Sequence, residues 1–435
     1  MLCLATGGAA VAATDYVFTT NDDSRYGERL KITEPKGDPP CVPYESGAST
    51  DMDWPGYLGR SWGIARDRDY SPTTSASIVW TSIRKDVFRN TDQWGGTSYI
   101  VSAELFGRDL FGTLEGALPV DIAGKYMSTT FYPRIMLIPE KQNDRWHLRK
   151  INPTASSTST GAVEPSQVEW VGDGHLFLGT DAQASGSCGS SDGEVRLFHK
   201  NVGDNALFTE ADYHDTDGTV DFKPEGLTVI DVSSSTDTDC ASYDYVAYVA
   251  DYCGDALTVL GIVENGANST LTHIEDVSIA SYVTPGFTER VCHPSTVEYL
   301  VGEDKAVILC QTSETYIIFD TVGFECSLSD ITPDPFQRTR HKELLFTADE
   351  PSGNLGTCAN PFDTDESCYE DADEACSPHD VAYDEDMFPD WFFVTMSGVG
   401  QINAIAVGSS EEQSVIFHDS SDYEPMELEL AKDPS

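Results

Sequence analysis

The chain has 435 residues and carries 73 acidic against 26 basic side chains, a formal net charge of -47. Lys and Arg contacts to phosphate supply most of the affinity for nucleic acid, so this balance excludes a DNA or RNA binder and disfavours anionic lipid surfaces. With 40% hydrophobic and 10% aromatic residues the composition supports an ordered chain with a sizeable core.

Residues 1–13 (MLCLATGGAAVAA) are small and apolar and then give way to polar Thr-Asp-Tyr. This is the expectation of a signal-peptide remnant, with Ala10-Val11-Ala12 or Val11-Ala12-Ala13 suited to signal peptidase. Residues 14–431 are expected to form a single β domain. No later run reaches about 18 apolar residues, so no membrane span is expected. DYVFTT from Asp15, SIVWTSI from Ser77 and SYIVSAELFG from Ser98 read as strands, with a Pro-, Gly- and Asp-rich loop between the first two. PRIMLI at Pro133 reads as an imperfect copy of a repeat that becomes regular further on, and WHLRKI follows it. The Ser/Thr-rich stretch from Asn152 to Val163 reads as a loop.

From Pro165 onwards a unit recurs. PSQVEW (Pro165), PEGLTV (Pro224), PSTVEY (Pro294) and PHDVAY (Pro378) share a proline, then apolar residues at fixed offsets. A second apolar run follows each: HLFLGTD, DYVAYVADY, KAVILCQTS and DWFFVTMSG. A third follows that: EVRLFHK, ALTVLGIV, TYIIFDT and QINAIAV. Three short strands in repeated order are the mark of a blade in a radial β architecture. The fold class expected is all-β, a six- or seven-bladed β-propeller with long loop insertions. The spacing exceeds the roughly 40–50 residues usual for a blade. The excess falls in inserts at Ala182–Asp192, Ser233–Ser242 and about 327–375, the last with an acidic patch from Asp363 to Glu374. Near the end, EPMELELA alternates acidic and apolar residues, an edge-strand pattern that suits one terminus completing a blade begun by the other.

Eleven cysteines occur, and ten lie beyond Cys3. An even number in loops and at strand ends reads as a disulfide framework and an oxidising, extracellular compartment. Cys292 with Cys310 is an expected pair, on successive strands of one blade. No C-x-x-C pair occurs, which argues against zinc. Asn268-Ser269-Thr270 is a glycosylation sequon in a turn-like stretch.

In a propeller the innermost strands line a channel, so residues flanking each recurring proline converge at one mouth. The catalytic candidates are His293, His379, Glu225, Arg290, Arg134 and Asp380, with Ser166, Gln167, Ser295 and Thr296 beside them. Two imidazoles and a carboxylate suit general acid–base work, and an arginine suits oxyanion stabilisation. The same residue types also cap strands and ligate metals. Asp215, Asp217 and Asp221 place oxygen donors around a Gly-containing turn and are the candidate Ca²⁺ ligands. They lack the twelve-residue EF-hand spacing, and Asp-Gly turns also simply join strands.

The stretches ADYCGDALTVLGIVENGANSTLTHIEDVSIA and VCHPSTVEYLVGEDKAVILCQTSETYIIFD resemble the lactonase-type propellers, the group of 6-phosphogluconolactonases and carboxymuconate-cyclising enzymes. The resemblance covers about residues 160–410. It implies a seven-bladed fold and a small molecule hydrolysed or cyclised in the central funnel. The alternative is a non-catalytic extracellular binding or matrix propeller with acidic, calcium-binding loops. A calcium-dependent phosphatase is a third reading. No G-x-S-x-G, P-loop or H-E-x-x-H motif is present to support other chemistries.

Overall fold

In the computed structural model, side chains are described for residues 167–172, 176–180, 193–199, 210–215, 221–279, 292–310, 316–331, 378–385, 388–397 and 402–407, with Cys188 and Leu428. Elsewhere it describes the backbones of the strands named here. These strands form antiparallel sheets of four. Sheet 1 holds β1 (Thr14–Asn21), β2 (Tyr26–Ile32), β3 (Thr50–Asp53) and the last strand, β28 (Pro425–Asp433). Sheet 2 is β4 (Arg60–Arg66), β5 (Ile78–Arg84), β6 (Thr97–Glu104) and β7 (Gly107–Glu115). Sheet 3 is β8 (Ala123–Tyr126), β9 (Arg134–Glu140), β10 (Arg145–Ile151) and β11 (Thr158–Gly161). Sheet 4 is β12 (Pro165–Val171), β13 (Leu176–Asp181), β14 (Glu194–Lys200) and β15 (Phe208–His214). Sheet 5 is β16 (Pro224–Asp231), β17 (Tyr245–Asp251), β18 (Ala256–Val263) and β19 (Thr270–Ser278). Sheet 6 is β20 (Pro294–Leu300), β21 (Lys305–Cys310), β22 (Thr315–Asp320) and β23 (Arg338–Arg340). Sheet 7 is β24 (Pro378–Ala382), β25 (Trp391–Met396), β26 (Gln401–Ala406) and β27 (Gln413–His418).

The arrangement is propeller-like. The leading strands β28, β4, β8, β12, β16, β20 and β24 each touch the next, and β24 returns to β28. Each recurring proline is the first residue of a leading strand, where its missing N–H costs no ladder bond. A register shift follows in all four units, between Pro165 and Val168, Pro224 and Leu227, Pro294 and Thr296, and Pro378 and Val381. The bulge re-aims the side chains beside the proline.

The apolar runs are continuous because these strands are buried on both faces. In β17, Val246, Tyr248 and Ala250 pack towards sheet 6, while Ala247 and Val249 pack towards sheet 4. A third cluster joins sheets 6 and 7 through Leu309, Tyr316, Phe392 and Ile405. Each fully buried side chain of this kind contributes about 1.5–3 kcal/mol.

Three features differ from the sequence reading. Each unit has four strands, not three. The outermost strand of sheet 5, TLTHIEDVS of β19, has five of its nine residues facing water, so it carries no apolar run. PRIMLI is the second strand of sheet 3 rather than a leading strand, and it pairs with β8 and β10. The Ser/Thr-rich stretch after it contains β11, because Thr is at home in a strand. As expected for EPMELELA, the terminal segment forms a strand, β28, which completes the sheet begun by β1, and it does so as the leading strand at the end of the order β28-β1-β2-β3. Pro425 opens it, and Leu428 is buried. It is one more copy of the Pro-led pattern, with apolar residues at the same offsets as in PSTVEY.

Three disulfides occur among the described residues. Cys188–Cys253 ties the β13–β14 connection to the β17–β18 hairpin. Cys240–Cys326 joins the inserts of sheets 5 and 6, and Cys292–Cys310 closes the entry of sheet 6 as expected. Cys358, Cys368 and Cys376 lie outside the described residues. The inserts are used: Ser233–Ser242 contains a 3-10 turn at Thr238–Ser242, and the long one supplies β23.

Gly226 sets the distance between sheets 5 and 6. A Cβ there would lie 2.5 Å from the Ser295 carbonyl oxygen and 2.7 Å from the Thr296 Cα. Both obstacles are backbone, so no rotamer change relieves them. Gly226→Ala is expected to cost about 1–3 kcal/mol, the range for overpacking. Chemical denaturation checks this, and an unchanged midpoint would refute the close approach.

Candidate functional site

The leading strands run in step. The Leu227 amide donates to Gln167 Oε1 at 2.6 Å, and the Leu428 amide donates to Asp380 Oδ2 at 2.8 Å. In each case the donor is three residues after its proline and the acceptor two after the preceding one. Between sheets 6 and 7, Thr296 Oγ1 donates to the His379 carbonyl at 2.7 Å. Buried threonines on the second strands complete this belt: the Gln167 amide donates to Thr180 Oγ1, and the Asp380 amide to Thr395 Oγ1. At these joints the bonded residues lie one to three positions after their prolines, which places the proline-flanking residues at one end of neighbouring strands.

Glu225, His293, His379 and Asp380 therefore share that end, as the repeat implies. Asp380 is engaged in joining sheet 7 to sheet 1. Arg134 stands elsewhere: it opens β9, opposite Tyr126 at the last residue of β8, away from the entry end of the sheet. Arg290 lies outside the described residues. Ser295 Oγ is buried and has no hydrogen-bond partner.

His293 is the most constrained of these residues. Its φ is 47°, in the left-handed region and directly before a proline. A non-glycine residue there costs of order 1–3 kcal/mol and persists only where its surroundings over-determine it. The surroundings do so. Asp255 Oδ1 accepts the amides of both Cys292 (2.8 Å) and His293 (3.1 Å). The imidazole stacks on Tyr252 with centroids 4.5 Å apart and planes at 16°. Nδ1 lies 2.7 Å from the Tyr252 carbonyl oxygen. A carbonyl only accepts, so Nδ1 carries the hydrogen and the neutral ring keeps its lone pair on Nε2.

Lys223 was not among the sequence candidates. It sits one residue before Pro224, the position that His293 holds before Pro294, so aligning the repeats one residue upstream would have found it. Its Nζ is 2.5 Å from Glu225 Oε1 and 4.4 Å from the centre of the Tyr252 ring. Lys223, Glu225, Tyr252 and His293 thus form one connected group across sheets 5 and 6.

Beneath it lies Asp251, 5% exposed. Burial pushes its carboxyl from the usual 3.8 up to about 6, against the pull of amide donors from Lys223, Gly254 and Cys253. The folded state holds this proton up to about pH 6, and the unfolded chain releases it near pH 4. Between those values the folded state binds more protons, so stability from this group falls as pH rises, by about 3 kcal/mol. Asp251→Asn removes the slope. The stability of the wild type relative to the variant is expected to drop by that amount between pH 4 and pH 7 in denaturation series. An equal or rising difference would refute burial as the cause.

For calcium, Asp215 follows β15 and Asp221 precedes β16, while Asp217 lies outside the described residues. Nearby Asp212 holds sheets 4 and 5 together, accepting the Leu271 amide at 2.9 Å. Among the described residues one group of ligand-type side chains lies within reach of a single ion: Asp237, Cys240 and Cys326. Its two sulfurs are joined in a disulfide, which leaves no thiolate to bind metal. No helix among the described residues is long and apolar enough to cross a membrane.

No protein-family model matches the chain, and no curated protein matches its sequence. Solved structures do match its fold. A Bacteroides fragilis protein assigned as a 6-phosphogluconolactonase aligns with TM-score 0.56 at 10% identity, over 97% of this chain and 99% of that one. The periplasmic gluconolactonase of Pseudomonas aeruginosa aligns with TM-score 0.55 at 10% identity, over 97% and 100%. A Bacteroides uniformis protein assigned as a 6-phosphogluconolactonase gives 0.55 at 9%, over 96% and 99%. The fold is the one these lactonase-type structures share. The resemblance read from the sequence holds at the level of the fold.

Proposed function

We propose that this chain is a seven-bladed β-propeller hydrolase that opens a lactone, or a related small cyclic ester, at the entry end of its leading strands. The observation that carries the reading is His293, held in a strained backbone conformation with one ring nitrogen committed and the other left as a base. Strain of this kind gathers at functional sites. The whole-chain fold likeness to lactonase-type structures supports the same class.

In this mechanism His293 Nε2 takes a proton from water as the water oxygen bonds to the lactone carbonyl carbon. The carbonyl oxygen becomes an oxyanion, stabilised by a cation at the mouth. Lys223 is in place for that, and Arg290, three residues before His293, is a further candidate. The ring C–O bond then breaks and the leaving alkoxide receives a proton from His293 or His379, giving a hydroxy acid. Glu225 orients Lys223 through their ion pair. A lactone and ester panel with purified protein, read by pH-stat, tests the class. No turnover of any member by a folded, disulfide-intact sample refutes it.

An oxidising compartment, extracellular or periplasmic, fits the disulfides. Asn268 is exposed on the turn between β18 and β19, at the end of sheet 5 away from the entry. Secretion from a eukaryotic host is expected to add a glycan there. An endoglycosidase-sensitive mobility shift, lost in Asn268→Gln, checks this. The calcium proposal at Asp215, Asp217 and Asp221 is checked by melting with and without a chelator.

A further inference from the structure

We infer that Asp255 is the positioning residue for His293, so that the reactive imidazole of sheet 6 is set by the β17–β18 hairpin of sheet 5. This rests on the proposed role of His293.

The hairpin Asp251–Asp255 reaches the next sheet with two acceptors. The Asp255 carboxylate takes the two consecutive amides of Cys292 and His293 through one oxygen, Oδ1. The Tyr252 carbonyl takes His293 Nδ1. One short segment therefore sets both the backbone and the ring of His293. The hairpin is itself fixed at three points. Cys253 is bonded to Cys188, the Tyr252 amide donates to the Lys223 carbonyl at 2.9 Å, and the Ile279 amide donates to the Asp255 carbonyl at 2.9 Å. On the receiving side, Cys292 is bonded to Cys310, which pairs with Pro294. A left-handed His before a proline has little to hold it there other than these contacts. Two amides on one carboxylate oxygen are charge-assisted bonds, stronger than neutral ones. Freed of them, the residue relaxes out of the left-handed region, and the ring leaves the Tyr252 carbonyl that selects its tautomer.

Asp255 has φ 49°, so alanine there would add strain of its own. Two replacements avoid this. Asp255→Asn keeps an acceptor oxygen and tolerates the left-handed region. Asp255→Gly accepts that backbone freely and removes the acceptor. Nitrogen-resolved NMR of ¹⁵N-histidine-labelled protein, with the His293 signal assigned by its loss in His293→Asn, reads the tautomer directly. The wild type and Asp255→Asn are expected to show the Nδ1–H form, and Asp255→Gly a mixture. On a lactone that the wild type turns over, Asp255→Gly is expected to lose roughly 10- to 100-fold in kcat, the scale for a displacement of about 1 Å, with KM near wild type. Asp255→Asn is expected to restore kcat. A pure Nδ1–H signal in Asp255→Gly overturns the assignment. If no lactone is turned over, the function proposal fails by itself, and the spectra still decide the role of Asp255.

Discussion

Replacing His293 with asparagine is expected to lower lactone turnover by roughly 10²- to 10⁴-fold, the usual contribution of a positioned general base. Asparagine is the informative choice. It enters the left-handed region readily, so it keeps the backbone that φ 47° requires. Its amide also presents a donor toward the Tyr252 carbonyl. It lacks a basic nitrogen where Nε2 stands. The melting temperature should therefore stay close to wild type while kcat collapses. His293→Ala would confuse the two effects, because alanine carries the strain without the hydrogen bond. A parallel His379→Asn variant separates base from acid: its loss should be larger for lactones with poor leaving groups, which depend most on protonation of the departing oxygen. Full activity in His293→Asn would remove His293 from the mechanism and with it the main support for the enzyme reading.

The largest effect on stability is expected from deleting residues 425–435. This removes β28, which pairs with β1 over most of its length and stands between β24 and β4 in the ring of leading strands. Losing the buried Leu428 side chain alone costs about 2–5 kcal/mol by analogy with large-to-small core changes. The Leu428 amide bond to Asp380 goes with it, and β1 becomes an open edge that invites aggregation. Since a whole domain is stable by only about 5–15 kcal/mol, the truncated chain is expected to be insoluble or to unfold well below the intact one. The milder Leu428→Ala should remain folded with a lowered midpoint. A soluble truncation with an unchanged melting profile would contradict the closure of sheet 1 by β28.

Part of this was legible in the residues and part was not. The leading strands of sheets 4 to 7 were readable because proline marks their first position and apolar residues follow at fixed offsets, while the second strands, buried on both faces, write continuous apolar runs. The strand β28 and its completion of the first sheet were expected, but its place as a leading strand was not. Its intervening residues are glutamates, so PMELEL looked like an alternating edge although its offsets match the other leading strands. The outermost strand β19 was missed because more than half of its residues face water. The Cys292–Cys310 pair followed from strand order alone, whereas Cys188–Cys253 and Cys240–Cys326 join different sheets and needed the packing.

Sequence alone determined the all-β class and the repeat with its proline-led entry, since periodicity and local turn chemistry are properties of neighbouring residues, and from these it drew the expectation that residues beside the prolines converge. Only the tertiary structure decided which of the converging residues are free for chemistry. Asp380 is spent on the Leu428 amide, Arg134 stands on a second strand, and Lys223 joins Glu225 and Tyr252. The strain and tautomer of His293 were likewise invisible in the chain. They arise from Asp255 and Tyr252, some forty residues away, and contacts across a sheet boundary leave no periodic trace in the sequence.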